Sequence, residues 1–285
     1  MFLRKHTESG IGFNPVPFFV NVFTNVCDLL IPRRCVVCGQ RLLQNERHIC
    51  LNCLADMPFT PFVPGRRNPM ADSFNEWIQK SLDDDAPYEP YSTAVALFYY
   101  QGNYKSLTPA LKYGGNIPLG RQLGRMLGEK LLAGGLPPVD AVIPVPLHRK
   151  RRRHRGFNQA EVIAAEVARC LGAPLRTDIL KRAGGSGSQT KLSKQQRSTN
   201  VAHAFVATIP TLDSQTLEGT VVGKLTLPTT VPSSCAGLAH VLIIDDVFTT
   251  GATLFACRQA LLEAYRKAGD RKVPRISVAT LAYAP

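Results

Sequence analysis

Apolar positions along this chain fall into two rhythms, and their alternation predicts an α/β fold. Short unbroken apolar runs bounded by turns lie at 93–100 (TAVALFYY), 141–143 and 241–244, and a last strand is expected at 275–283. Such runs are typical of strands buried on both faces of a parallel sheet. Between them, apolar residues return at helical spacing. Leu119, Leu123, Leu127 and Leu131 mark a helix over 116–133, and Val162, Ile163 and Val167 mark one from Gly156 to about Leu171. Leu254, Cys257, Leu261 and Tyr265 mark a third helix, and 104–113 a shorter one. Short strands are expected to end at 180–182 and to occupy 201–206.

Where both rhythms stop, other structure is expected. Residues 58–92 hold many prolines and the acidic run Asp83-Asp84-Asp85, so they read as a partly mobile linker with a short helix near 74–82. Residues 183–199 are rich in Gly, Ser, Gln and Lys and read as a flexible loop. Residues 207–239 read as an exposed insertion. Residues 13–31 are apolar, but Asn14, Asn21, Thr24, Asn25 and Asp28 interrupt them. Phe18, Phe19, Val22, Phe23, Val26, Leu29 and Leu30 share one face, which predicts an amphipathic helix packed on the protein, not a membrane span. No secretory signal is evident. The organisation expected is a module over 1–57, the linker 58–92 and an α/β domain over 93–285.

Charge and cysteines sharpen this picture. The 285 residues carry a net charge of +13, which favours anionic partners without choosing among phosphorylated small molecules, nucleic acid and a membrane surface. Four of the eight cysteines form two CxxC pairs, Cys35 with Cys38 and Cys50 with Cys53, separated by eleven residues. That spacing lets four thiolates converge on one tetrahedral Zn²⁺ in a closed, structural site. Two disulfides or four free thiols are the alternatives, and His48 is a spare ligand. Cys170 and Cys257 fall on expected core helices, so the set as a whole suggests a reducing cytoplasm.

The chemistry concentrates at 240–254, HVLIIDDVFTTGATL. Asp245 and Asp246 fall where the strand 241–244 is expected to end. Thr249, Thr250, Gly251, Ala252 and Thr253 then form a small hydroxyl-rich turn before a helix. Unpartnered N–H groups at a helix start, with a glycine that permits close approach, suit an anion. Two carboxylates repel a bare phosphate, but they suit vicinal hydroxyls or a bound Mg²⁺. A sugar phosphate fits both halves, and a generic strand–turn–helix with two capping acids is the plain alternative. A second donor-rich stretch follows Pro144-Val145-Pro146-Leu147, where 148–155 carries six Arg or Lys in eight residues before Gly156-Phe157-Asn158-Gln159. Taken alone it reads as a solvated face. As a connection from strand to helix it can hold a second anionic group.

Ile243-Ile244-Asp245-Asp246-Val247-Phe248-Thr249-Thr250-Gly251-Ala252-Thr253 resembles the phosphoribosyl-pyrophosphate (PRPP) loop of type I phosphoribosyltransferases. With the CxxC pairs, Leu111-Lys112-Tyr113-Gly114-Gly115, Pro144-Val145-Pro146, Arg155-Gly156-Phe157-Asn158-Gln159 and Gln189-Thr190-Lys191-Leu192, the chain resembles the ComF family of phosphoribosyltransferase-like proteins, some associated with DNA uptake. The resemblance implies a type I phosphoribosyltransferase fold, a parallel sheet with helices on both faces, plus an N-terminal zinc module. It implies that Asp245 and Asp246 hold the ribose hydroxyls, directly or through Mg²⁺. It implies that the segment from Val247 through Thr249, Thr250, Gly251, Ala252 and Thr253 holds the 5-phosphate. Val145, Pro146, Arg155 and Gly156 would face pyrophosphate, with 183–199 as a lid. The insertion 207–239 departs from the family pattern. Transfer of phosphoribosyl to an unidentified acceptor is the first functional expectation. The alternative is a non-catalytic protein that binds single-stranded nucleic acid on the same fold. A second copy of the chain is kept as a further candidate partner.

Overall fold

A computed structural model describes residues 32–82, 91–183, 204–208, 238–268 and 274–285. The expected amphipathic helix at 13–31, the acidic run at 83–85, most of the loop 183–199, the start of the strand 201–206 and nearly all of the insertion 207–239 lie outside the described residues. The chain divides into two units, Met1–Asp56 and Met57–Pro285. The described part of the first unit is a turn closed by an Arg34↔Arg41 bridge and a one-turn helix, α1 (Leu51–Ala55).

The second unit is built on a parallel sheet of β1 (Ala94–Tyr99), β2 (Ala141–Pro144), β5 (His240–Phe248) and β6 (Arg275–Tyr283), in the order β1-β6-β5-β2. Its helices are α2 (Pro69–Gln79), α3 (Leu107–Lys112) after a 3₁₀ turn, α4 (Ile117–Ala133), α5 (Arg149–Arg155), α6 (Gln159–Leu171) and α7 (Ala252–Lys267). Two short strands, β3 (Leu180–Arg182) and β4 (Phe205–Ala207), pair antiparallel outside the main sheet. The edge strand β1 is wholly apolar and buried at Val95 to Phe98, and the central strand β5 at Val241 to Ile244, as expected for a sheet covered on both faces.

The strand order decides where a ligand can bind. From β1 the chain crosses to β2 and continues outward, with Leu175 bridging Val142 in parallel. From β5 it turns back to β6. Right-handed crossovers that run in opposite directions put their helices on opposite faces. Accordingly α4 packs on α6, while α7 packs on α2. The carboxyl ends of β5 and β2 therefore flank a topological switch point, the crevice where open α/β sheets bind ligands.

The α4–α6 contact is closer than leucine spacing alone suggests. Gly120, Gly124 and Gly128 face α6, and a Cβ at Gly124 would stand 2.9 Å from the Ile163 carbonyl oxygen. At Gly128 a Cβ would lie 2.7 Å from Cys170 Cβ. Gly124→Leu is therefore expected to overpack the helix pair and destabilise the fold by roughly 1–3 kcal/mol. Thermal melting checks this, and an unchanged melting temperature would mean the two helices part freely.

Three expectations need correction. Residues 58–82 are folded onto the sheet and are not a linker. Phe59 bridges Phe98, the Tyr99 N–H donates to the Pro58 carbonyl at 2.8 Å, and Phe62, Met70, Phe74 and Ile78 are buried. Asn68 caps α2 by accepting from the Ala71 N–H, and Pro69 occupies the first turn, where its missing N–H costs nothing. The basic stretch after β2 is a helix, α5, capped by His148 and ended by Gly156. The strand carrying the acid pair runs on to Phe248 and does not stop before Asp245.

Candidate functional site

β5 outruns its neighbour on one side only. It pairs with β2 as far as Ile244 and with β6 as far as Phe248, and the Val145 N–H closes the last rung on the Ile244 carbonyl at 2.9 Å. Asp245 and Asp246 stand beyond that rung, where the edge toward β2 opens. Asp245 Oδ1 accepts from the Asp246 N–H at 2.8 Å. Burial, reinforced by the neighbouring Asp246 charge, pushes the Asp245 carboxyl up to about 8. Asp246 has a cationic partner in Lys112, whose Nζ lies 2.7 Å from Oδ2 with both side chains largely covered.

The threonine-rich turn follows directly. Thr249 and Thr250 are exposed, and Ala252 and Thr253 belong to the first turn of α7, not to the loop before it. Gly251 caps that helix with φ +80, and a Cβ there would lie 2.7 Å from the Phe248 ring. Conformation and space thus both call for glycine. The Trp77 indole N–H donates to the Thr250 carbonyl at 2.6 Å.

The opposite wall is the β2–α6 connection. Val145 has its N–H engaged by Ile244 and its carbonyl engaged by Asn158 Nδ2 at 3.0 Å, so with Pro146 it shapes the wall and donates nothing. Asn158 also accepts from the Ala160 N–H and so joins the wall to the start of α6. All of α5 is exposed except the half-buried Arg155. The Arg155 guanidinium sits 5.1 Å from the Tyr113 ring centre and donates to Gln159 Oε1 at 3.1 Å. Tyr113 follows Lys112 in sequence, so Arg155, Tyr113, Lys112 and Asp246 form a chain of contacts linking the two loops.

Lys112, Tyr113 and Trp77 were not picked out as site residues from the sequence. Lys112 and Tyr113 lie in the motif Leu111-Lys112-Tyr113-Gly114-Gly115, but nothing local says that Lys112 meets an aspartate from another strand. Arg182, at the end of β3, is a further omission. Burial and the nearby Arg151 lower its pKa, while Cys257 and Asp245 act the other way, so it lies within electrostatic reach of both loops.

The four cysteines of the first unit form a separate centre. All four Sγ atoms lie within 4.8 Å of one another, and the group can hold a metal ion. Cys38 Sγ and Cys50 Sγ are 3.8 Å apart. That spacing matches the edge of a sulfur tetrahedron about a Zn²⁺ with Zn–S bonds of about 2.3 Å, and it is far too long for a disulfide. Backbone N–H groups support the sulfurs: Cys50 N–H donates to Cys35 Sγ and Cys53 N–H to Cys50 Sγ. Burial raises the Cys35 thiol, but N–H donors from Cys50, Cys38 and Val37 outweigh it and bring Cys35 down to about 7. Glu46 braces the knuckle by accepting from the Leu43 and Leu51 N–H groups, each at 2.7 Å. His48 is not part of the cluster.

Fold and site together define an α/β protein with a helix-flanked parallel sheet and a four-cysteine module able to bind metal. No family model matches the chain. Among curated proteins, DNA utilization protein YhgH of Salmonella typhi is 29% identical over 177 residues, covering 61% of this chain and 67% of its own. Competence protein F of Haemophilus influenzae is 24% identical over 225 residues, 78% of this chain and 87% of its own. Competence protein ComFC of Bacillus subtilis is 26% identical over 122 residues, 43% and 38% respectively. These relatives bear out the resemblance to the ComF family, at modest identity over much of the chain. Among the described residues, no helix is long and apolar enough to cross a membrane.

Proposed function

We propose that this chain binds PRPP with Mg²⁺ and transfers its phosphoribosyl group to an acceptor, releasing pyrophosphate, in the service of DNA uptake or utilisation. The division of charge across one crevice carries the reading. A carboxylate pair lies on the β5 side and cationic side chains of α5 on the β2 side, at a sheet switch point. A ligand with hydroxyls in its middle and phosphates at both ends matches that division. Relatives named for competence and DNA utilization support the process, not the chemistry.

In this reading Asp245 and Asp246 accept from the ribose hydroxyls or hold Mg²⁺, and Lys112 must share Asp246 with them. The hydroxyls of Thr249, Thr250 and Thr253, with the N–H groups opening α7, receive the 5-phosphate. Arg155 and its neighbours on α5 receive pyrophosphate. The bond from C1 of the ribose to pyrophosphate breaks with its electron pair on the leaving group, and the acceptor nitrogen bonds to C1 and releases its proton to solvent. Bound Mg²⁺ supplies charge neutralisation of the leaving pyrophosphate. The arginines add preorganised donors to the same oxygens. The four-cysteine centre takes a structural Zn²⁺ and no part in the reaction.

Titration calorimetry with PRPP, with and without Mg²⁺, tests the reading. Saturable binding that requires Mg²⁺ is expected, followed by pyrophosphate release with one member of a panel of nucleobases and amines. Absence of binding at millimolar PRPP would sink it. A second reading, single-stranded nucleic acid tracked by α5, is favoured by the exposure of Arg149, Lys150, Arg151, Arg152 and Arg153 on one short helix. It expects affinity for an oligonucleotide that falls steeply with salt and survives loss of the acid pair. No binding at low salt would end it.

A further inference from the structure

Trp77 is the one tryptophan in the chain, and none of the roles assigned above uses it. It stands on α2, in the stretch whose composition suggested a linker. Its indole stacks on Phe255 of α7 with ring centres 5.5 Å apart and 29° between planes. Its N–H donates to the Thr250 carbonyl at 2.6 Å. Among the described residues no peptide is cis, so in the Thr250–Gly251 peptide the carbonyl and the N–H point in opposite directions. A bond that holds the carbonyl toward the indole therefore holds the Gly251 N–H away from it.

That restraint falls where the backbone is least able to restrain itself. Glycine takes either sign of φ at little cost, so a peptide next to Gly251 can rotate about its flanking bonds. The Phe248 ring beneath Gly251 closes one side of the turn. The indole bond acts on the peptide from its carbonyl end. The stack on Phe255, near the start of α7, packs the other side of the indole and leaves its N–H free to make the bond to Thr250.

We propose that Trp77 is a positioning residue for the phosphate loop, fixing the Thr250–Gly251 peptide so that the Gly251 N–H is presented to the 5-phosphate of the bound sugar. This rests on the PRPP reading and deepens it. Trp77 touches no ligand group itself. Its contribution is preorganisation: without the indole bond, the ligand must order the peptide as it binds.

The test is calorimetric titration of wild type, Trp77→Phe and Phe255→Leu with PRPP and Mg²⁺, and separately with ribose 5-phosphate, alongside thermal melts. Trp77→Phe retains an aromatic ring against Phe255 and loses only the donor. It is expected to weaken both ligands by roughly fivefold, the scale of one hydrogen bond. Phe255→Leu loses the stack and keeps the donor, so its melting temperature should fall while both affinities stay within about twofold. Unchanged affinity in Trp77→Phe would overturn the proposal, as would an equal loss in Phe255→Leu, since packing alone would then account for it. A loss confined to PRPP would put the effect at pyrophosphate and overturn it too. If wild type binds PRPP and Trp77→Phe binds it equally well, only this inference fails. If wild type binds neither ligand, the PRPP reading fails with it.

Discussion

A chain carrying Asp245→Asn and Asp246→Asn is expected to stay folded and to lose Mg²⁺-dependent PRPP affinity by at least about a hundredfold, on about 1.5–3 kcal/mol for each hydrogen bond to a charged group. At Asp245 the loss should come without a loss of stability. Asp245 ionises near 3.8 in an unfolded chain but is pushed up to about 8 in the folded protein, first by burial and then by Asp246. Below about pH 4 it is protonated in both states and contributes nothing. Between about 4 and 8 the folded state holds a proton that the unfolded state has released, so stability falls as pH rises. Above about 8 the penalty is complete. Asp245→Asn alone removes it, so its melting temperature should exceed that of wild type most at alkaline pH and converge with it near pH 4. A gain in stability together with a loss of binding is the mark of groups kept for a ligand at the fold's expense. Thermal melts from pH 4 to 9, read beside calorimetry, check both halves. Retention of PRPP affinity within about threefold in the double variant would remove the acid pair from the site.

How much of this could be read from the sequence depends on whether the signal was local. β6 occupies 275–283 as its apolar run indicated, and α4 begins just after Asn116, whose side chain caps it. Those elements are specified by their own residues. The stretch 58–82 was misread because its prolines look like breaks. Pro69 instead starts a helix, and Pro58 offers its carbonyl to the sheet edge. The stretch 149–155 was misread because an all-charged helix has no apolar period to detect; only His148 before it and Gly156 after it mark its ends. The Lys112–Asp246 ion pair and the Trp77 bond to Thr250 join residues far apart in sequence. No window along the chain contains both partners, so only the folded topology reveals them. The two loops at the switch point are an intermediate case. Each could be recognised from its own residues, but their adjacency depends on β5 lying between β6 and β2.

Removing the metal is expected to unfold residues 32–56 while leaving the melting transition of 57–285 in place. The described part of the first unit buries only Cys35, Leu42, Ile49 and Cys50 among its apolar side chains, and two of those belong to the cysteine cluster. A core that small cannot offset the conformational entropy of ordering the segment, at about 1–2 kcal/mol per residue. Small modules of this kind draw their folding free energy from the ion, about 10–16 kcal/mol for structural Zn²⁺. The thiols themselves point the same way. Four sulfurs within 4.8 Å disfavour one another's ionisation, and burial together with the neighbouring cysteines raises the Cys53 thiol. A divalent cation turns that mutual repulsion into shared attraction and makes thiolates of all four. Wild type should therefore carry one Zn²⁺ per chain by elemental analysis. A strong chelator, or Cys50→Ser, should release it and strip hydrogen-exchange protection from the Cys35, Gly39 and Cys50 amides. PRPP affinity should be kept. Persisting protection in metal-free protein would mean that the hydrogen bonds around Glu46 and the Arg34–Arg41 bridge hold the knuckle without an ion, and the zinc assignment would fail.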